Sequence, residues 1–188
     1  MPARASRRLV IDASVARAAG GEGATHPASK HCRDFLQAVL DICHRVVMTQ
    51  DIMSEWNTHQ SSFARRWRVA MTSRKKVYRV DTVVDRGLQN RVKNNAPNAP
   101  ILEIMRKDLP LIAAALRTDK IVISCDDSAR AHFATASERI AELSNIVWIN
   151  PGIVGEATIE WLQNGAKSEK THRLGFAVSA VRGRARER

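Results

Sequence analysis

The chain has 188 residues, 44% of them apolar, which suits one compact domain with a substantial core. Its longest clean apolar run, about Leu111 to Leu116, falls far short of the ~20 residues that span a bilayer, so no membrane span is expected. The formal net charge of +11 is concentrated: Arg65 to Arg79 holds seven basic residues and no acid, and Lys167 to Arg188 holds seven basic and two acidic residues. A near-neutral body carrying two basic segments points to a polyanionic partner, and a solvated face kept for solubility is the plainer alternative.

The N-terminal stretch is rich in arginine, but Asp12 and Arg17 interrupt any apolar leader, so a cytoplasmic protein is expected. The three cysteines, Cys32, Cys43 and Cys125, show no C-x-x-C spacing and lie in apolar contexts. They read as buried, reduced thiols rather than disulfides or a zinc site.

In chain order, Leu9–Ile11, Val46–Met48, Ile121–Ile123 and Ile146–Ile149 are short, β-branched and bounded by polar residues, the pattern of buried parallel strands. Helices are expected between them. From Ser29 to Cys43, apolar residues recur every three or four positions. Further helices are expected over Asp51 to about Arg68, Thr82–Val92, Asp108–Arg117, Ser128–Leu143 and Val154–Gln163. The one at Asp108 would use that residue as its cap and Pro110 in its first turn. Gly20–Gly23 and Asn94–Pro100 read as loops, and the former lacks the G-K-[ST] ending of a phosphate loop. Strands alternating with helices give an α/β fold with a parallel sheet over residues 1–152, followed by a C-terminal helix and basic tail over 153–188.

In such sheets ligands sit beyond the carboxyl ends of the strands, and acids gather there in this sequence. Asp12 ends the first strand, Glu55 follows the second within a helix, Asp108 precedes the third, and Asp126 follows it. Four carboxylates on one rim repel one another unless a cation or protons are bound, and hard oxygen ligands favour Mg²⁺ or Mn²⁺ over zinc. Plainer roles compete. Asp108, Asp126 and Asp127 could cap helices or complement their dipoles, and Asp51 could stand in for Glu55. A phospho-acceptor receiver domain also clusters acids, but the ends of the second and last strands offer neither its acceptor Asp nor its Lys.

The basic segment makes nucleic acid the expected partner, with Arg65, Arg66, Arg68, Arg74, Lys75 and Lys76 as contacts. Trp67 and Tyr78 could stack on bases or belong to the core.

The motifs VIDASV (Asp12, Ser14), MSEW (Glu55), DLPLIAAAL (Asp108) and ISCDD (Ser124, Asp126, Asp127) resemble, in order and rough spacing, those of the PIN-domain nucleases. Within that family they look most like the small toxin ribonucleases of the VapC type. The resemblance covers about residues 8 to 151. It implies a three-layer α/β/α fold with a central parallel sheet of four or five strands, and an endoribonuclease that uses Mg²⁺ or Mn²⁺. In that family the enzyme is often a homodimer and often neutralised by a cognate antitoxin protein. Asp12, Asp108 and Asp126 would be metal ligands, directly or through water, and Glu55 would complete the site. Ser14 would support the hydration shell of the metal, Ser124 matches a Thr or Ser of the family, and Asp127 would serve the first turn of the following helix. A non-catalytic PIN-like module that binds nucleic acid or protein is the alternative.

Overall fold

Helices cover both faces of a sheet whose strands are buried along nearly every apolar residue, which is why those strands read as continuous β-branched runs. The computed structural model describes residues 6–21, 23–81, 83–153 and 157–176. Strands β1 (Arg8–Ile11), β2 (Arg45–Met48), β3 (Val77–Arg79), β4 (Ile121–Ile123) and β5 (Val147–Ile149) form one all-parallel sheet in the order β3-β2-β1-β4-β5. Val10 pairs with Val47 on one side and with Val122 on the other, so β1 is the central strand.

The helices are α1 (Ala13–Ala18), α2 (Pro27–Asp41), α3 (Gln50–His59), α4 (Ser62–Ser73), α5 (Arg86–Asn95), α6 (Ala99–Leu116), α7 (Asp127–Ala136) and α8 (Thr158–Gln163). Helix α2 packs with α4 and α8, while α6 packs with α5 and α7. The chain runs outward from β1 to β3, then crosses back to β4 on the far side of β1. Right-handed crossovers therefore put the helices after β1 and β2 on one face and those after β3 and β4 on the other. The result is a three-layer α/β/α fold whose strand order reverses between β1 and β4. That reversal opens a crevice at the carboxyl ends of these two strands.

Several boundaries differ from those expected. The helix expected from Asp51 to Arg68 is two helices, because Ser61 caps a new one by accepting the Ala64 N–H at 3.2 Å. Helix α6 begins at Ala99 rather than Asp108. Asn98 caps it by accepting the Ile101 N–H at 3.0 Å, and Pro100 sits in its first turn. Asn94 and Asn95 belong to α5, so the expected loop shrinks to residues 96–98. Helix α5 starts at Arg86 with Asp85 as cap; Thr82, where it was expected to start, lies outside the described residues. Helix α7 stops at Ala136, and a short 3-10 turn at Ala141–Leu143 follows. The strand β3 and the helix α1 were not expected. Helix α8 begins at Thr158, and residues 154–156 lie outside the described part.

Beyond α8 the chain is packed further than a free tail would be. Trp161, Leu162, Ala166 and Leu174 are buried in the main core. Arg173 pairs antiparallel with Val147, covering the outer edge of β5. Buried His44 links α8 to the sheet: Nδ1 accepts the Arg7 N–H at 3.1 Å and Nε2 donates to the Leu162 carbonyl at 2.9 Å. Burial holds that imidazole below its ordinary pKa, in keeping with the neutral form these two bonds require. The arginines from Arg182 onward lie outside the described residues.

Candidate functional site

Asp12 stands where β1 passes into α1, and its N–H donates to the Ile123 carbonyl of β4 at 2.9 Å. It occupies the cap position of α1, yet its side chain makes no cap bond. The carboxylate instead accepts the Ser14 and Ser124 hydroxyls, the latter at 2.9 Å. Ser14, expected near a metal's hydration shell, thus holds Asp12 directly. Its Oγ also accepts the Cys125 N–H at 3.1 Å, tying the β1–α1 corner to the loop after β4.

Ser124 is buried at the end of β4 and accepts the Asp126 N–H at 3.1 Å. One hydroxyl therefore connects the Asp12 carboxylate to the Asp126 backbone. Asp126 itself caps α7, its Oδ1 accepting the Ala129 N–H at 2.8 Å. The cap role assigned to one of the two adjacent aspartates thus falls to Asp126, and it leaves the second oxygen of that carboxylate outside the cap. Asp127 sits in the first turn, exposed, accepting from Asn150 Nδ2 at 2.9 Å. Among the cysteines, Cys32 is buried and shares a 3.6 Å sulfur contact with half-buried Cys125. Cys43 is exposed because α2 ends at Asp41, which corrects the expectation that all three are buried.

Two helices complete the site. Thr49 caps α3 by accepting the Ile52 N–H at 3.1 Å, so Asp51 is a first-turn acid and not the cap. Trp56 anchors that helix: its indole N–H donates to the Ile11 carbonyl at 2.8 Å, one residue before Asp12. Glu55 precedes this anchor and remains exposed, with His59 Nε2 at 3.5 Å. Asp108 lies in the middle of α6 and is half-buried. A mid-helix carboxylate cannot be explained as a cap, so the plainer reading of Asp108 falls away.

Asp12, Glu55, Asp108 and Asp126 line one cleft of about 710 Å³, with Asp51, Arg17 and Lys107. It lies at the β1–β4 reversal. Burial, followed by the charges of Asp12 and Asp126, pushes the Asp108 pKa from 3.8 up to about 7; Glu55 adds to the rise and Lys107 opposes it. Such repulsion is what a bound cation relieves, and the hard carboxylate oxygens of Asp12, Asp108 and Asp126 fit Mg²⁺ or Mn²⁺. Among the described residues, no three histidine, cysteine or acidic side chains already stand at the spacing of a closed metal cage.

The basic segment divides. Arg65, Arg66 and Lys75 are exposed and Arg68 is half-buried on α4. Lys76 is not a surface phosphate contact: its ammonium donates to the carbonyls of Val39, Leu40 and Ile42, closing the C-terminus of α2. Arg74 supports the same helix end, donating to the Leu40 carbonyl at 3.2 Å and pairing with Asp41 at 3.6 Å. Lys76→Met is therefore expected to lower stability by about 1.5–3 kcal/mol in urea denaturation. The same variant should change RNA affinity less than twofold in fluorescence anisotropy. Trp67 belongs to the core, stacked on Trp56 at 5.6 Å and donating to the Leu36 carbonyl, so it is not a base platform. Tyr78 lies beneath the Arg8 guanidinium at 5.2 Å.

Sequence reasoning missed Arg17 and Lys107. Recognising a helix directly after Asp12 would have aimed Arg17 at the rim, and Lys107 adjoins a residue already singled out. No helix among the described residues is long and apolar enough to cross a membrane. A scan of protein-family models finds no match to this chain, and a search of curated proteins finds none either.

Proposed function

We propose that the protein is a divalent-metal-dependent endoribonuclease whose site is the acidic cleft at the β1–β4 reversal. The observation that carries this reading is the convergence of Asp12, Glu55, Asp108 and Asp126, from four separate parts of the chain, on one cleft. There burial, followed by the charges of Asp12 and Asp126, lifts Asp108 to about 7. Asp12, Asp108 and Asp126 would hold the ion. A bound Mg²⁺ or Mn²⁺ supplies positive charge opposite phosphoryl oxygens and acidifies water.

The chain's own residues do the rest. Ser14 and Ser124 fix the Asp12 carboxylate through their hydroxyls. Arg17 and Lys107 bring cationic charge to a cleft that would otherwise repel a phosphodiester. Glu55, at the exposed edge, accepts a proton from the attacking water. Water oxygen bonds to phosphorus as its proton passes to Glu55, the bond to the 3′-oxygen breaks, and that oxygen takes a proton from solvent, so the products carry a 5′-phosphate and a 3′-hydroxyl. The substrate's 2′-hydroxyl takes no part, so the assignment of RNA over DNA rests on the resemblance to PIN-domain nucleases and not on the chemistry. The same resemblance suggests a homodimer and an antitoxin partner.

The test is incubation of the protein with single-stranded RNA and Mn²⁺, beside EDTA and Asp12→Asn controls. Cleavage to 5′-phosphate ends that both controls abolish is expected. Cleavage surviving in Asp12→Asn contradicts the assignment, and RNA binding without cleavage favours the non-catalytic module.

A further inference from the structure

A second groove of about 490 Å³ lies beyond α3 from the acidic cleft. Its walls are α4 and the edge strand β3, with Met48 and Met53 between them, and its lining combines apolar side chains, two arginines and the hydroxyl residues Thr72 and Ser73. Met48, Met53, Val69 and Val77 give an apolar surface, and Val69 is 66% exposed although large and apolar. Arg68 and Arg79 flank it. Among the described residues neither arginine side chain has an ion-pair or hydrogen-bond partner. Val77 and Arg79 are two residues apart on one strand and so share a face of the sheet, while Tyr78 faces the other way.

The groove is placed to continue the cleft. Helix α3 forms part of both: Asp51, Ile52, Ser54 and Glu55 line the cleft, and Met53 lines the groove. Met48 and Arg79, paired across β2 and β3, end their strands on the rim where Asp12 ends β1. One α-helix diameter, ~10–12 Å, separates the two surfaces, a distance a few nucleotides cover. Burial and the neighbouring charge of Arg65 both disfavour the charged form of Arg68, a cost that an anionic ligand offsets.

We propose that this groove is a nucleotide subsite, in which an unstacked base of the RNA lies on Met53, Val69 and Val77 while Arg68 and Arg79 bind its flanking phosphates. It rests on the nuclease reading for the identity of the strand. Bases present flat, largely apolar faces, and phosphates supply the anions that two unpaired guanidinium groups complement. Of the expected contacts the groove keeps only Arg68: it adds Arg79 and leaves out Arg65, Arg66 and Lys75 as well as Arg74 and Lys76, which cap α2.

The test measures binding without catalysis. Fluorescein-labelled single-stranded RNA is titrated with full-length protein in EDTA, and anisotropy is read at several salt concentrations. The variant Arg68→Gln/Arg79→Gln is compared with Arg45→Gln/Lys120→Gln, an equal charge loss among exposed residues at the opposite rim of the sheet. The groove variant should bind about tenfold more weakly and lose about 1.4 from the slope of log K against log salt, at ~0.7 per phosphate contact. The control pair should lose less than twofold. Val69→Ser should weaken binding while leaving that slope unchanged, because it removes base contact and no charge. Equal losses in the two charge variants, or no measurable RNA binding by the parent protein, overturn the subsite. Full RNA affinity in the groove variant also overturns it and leaves an acidic peptide as the occupant. None of these results touches the cleavage test with Asp12→Asn, so the subsite and the nuclease reading fail separately.

Discussion

Asp108→Asn is expected to abolish cleavage and, unusually for a site mutation, to stabilise the metal-free protein. Asparagine keeps the size of the side chain and removes a charge disfavoured first by burial and then by Asp12, Asp126 and Glu55. With the carboxyl pKa at about 7 in the fold against an ordinary 3.8, the folded state holds a proton that the unfolded chain releases between those values. Stability must therefore fall as pH rises through that window, and the full cost is present above about pH 7. The shift corresponds to an upper figure of about 4 kcal/mol. Urea denaturation of the metal-free protein at pH 8 should place Asp108→Asn about 2–4 kcal/mol above the parent, with the gap closing toward pH 4. Activity should drop by more than the ~10–100-fold seen when mere outer-shell partners of a metal are lost. A variant equally stable at pH 8 would mean that neither burial nor the other acids disfavour the Asp108 charge.

The largest stability loss is expected from Trp56→Ala. The indole is fully buried, stacks on Trp67, and donates to the carbonyl that closes β1. Removing it leaves a cavity worth about 3–5 kcal/mol and strips the Ile11 carbonyl of its donor for about 1–3 kcal/mol more. Urea denaturation should show a loss of at least about 3 kcal/mol, and Trp56→Phe, which keeps the packing, should recover most of it. Because this bond fixes α3 beside Asp12, Trp56→Phe should also cleave more slowly than its folded fraction explains. Parent-like rates in Trp56→Phe would show that Glu55 is positioned by other contacts.

Legibility from sequence followed burial. Four strands were visible because Leu9–Ile11, Val46–Met48, Ile121–Ile123 and Val147–Ile149 are buried on both faces and cannot carry polar residues. β3 was hidden because Val77, Tyr78 and Arg79 lie at a sheet edge, partly exposed, inside a run of cations. The start of α6 was misplaced because Pro110 looked like a first-turn proline, although Asn98 and Pro100 carry the same signature as Asp108 and Pro110 one stretch earlier in the chain. That error concealed the stronger case for Asp108, whose mid-helix position leaves no capping role. The acids were legible because each follows or precedes a recognisable strand. The division of the basic segment was not, since Lys76 and Arg65 differ only in whether a helix end lies within reach, a tertiary fact.

The sharpest check is anomalous diffraction from crystals grown with Mn²⁺. One strong peak about 2.1 Å from carboxylate oxygens of Asp12 and of Asp108 or Asp126, or one water further away, is expected in the cleft. It should vanish in Asp12→Asn crystals. Saturating Mn²⁺ with no peak in the cleft, or a peak unaffected by Asp12→Asn, would contradict a shared divalent ion as the reason these acids converge.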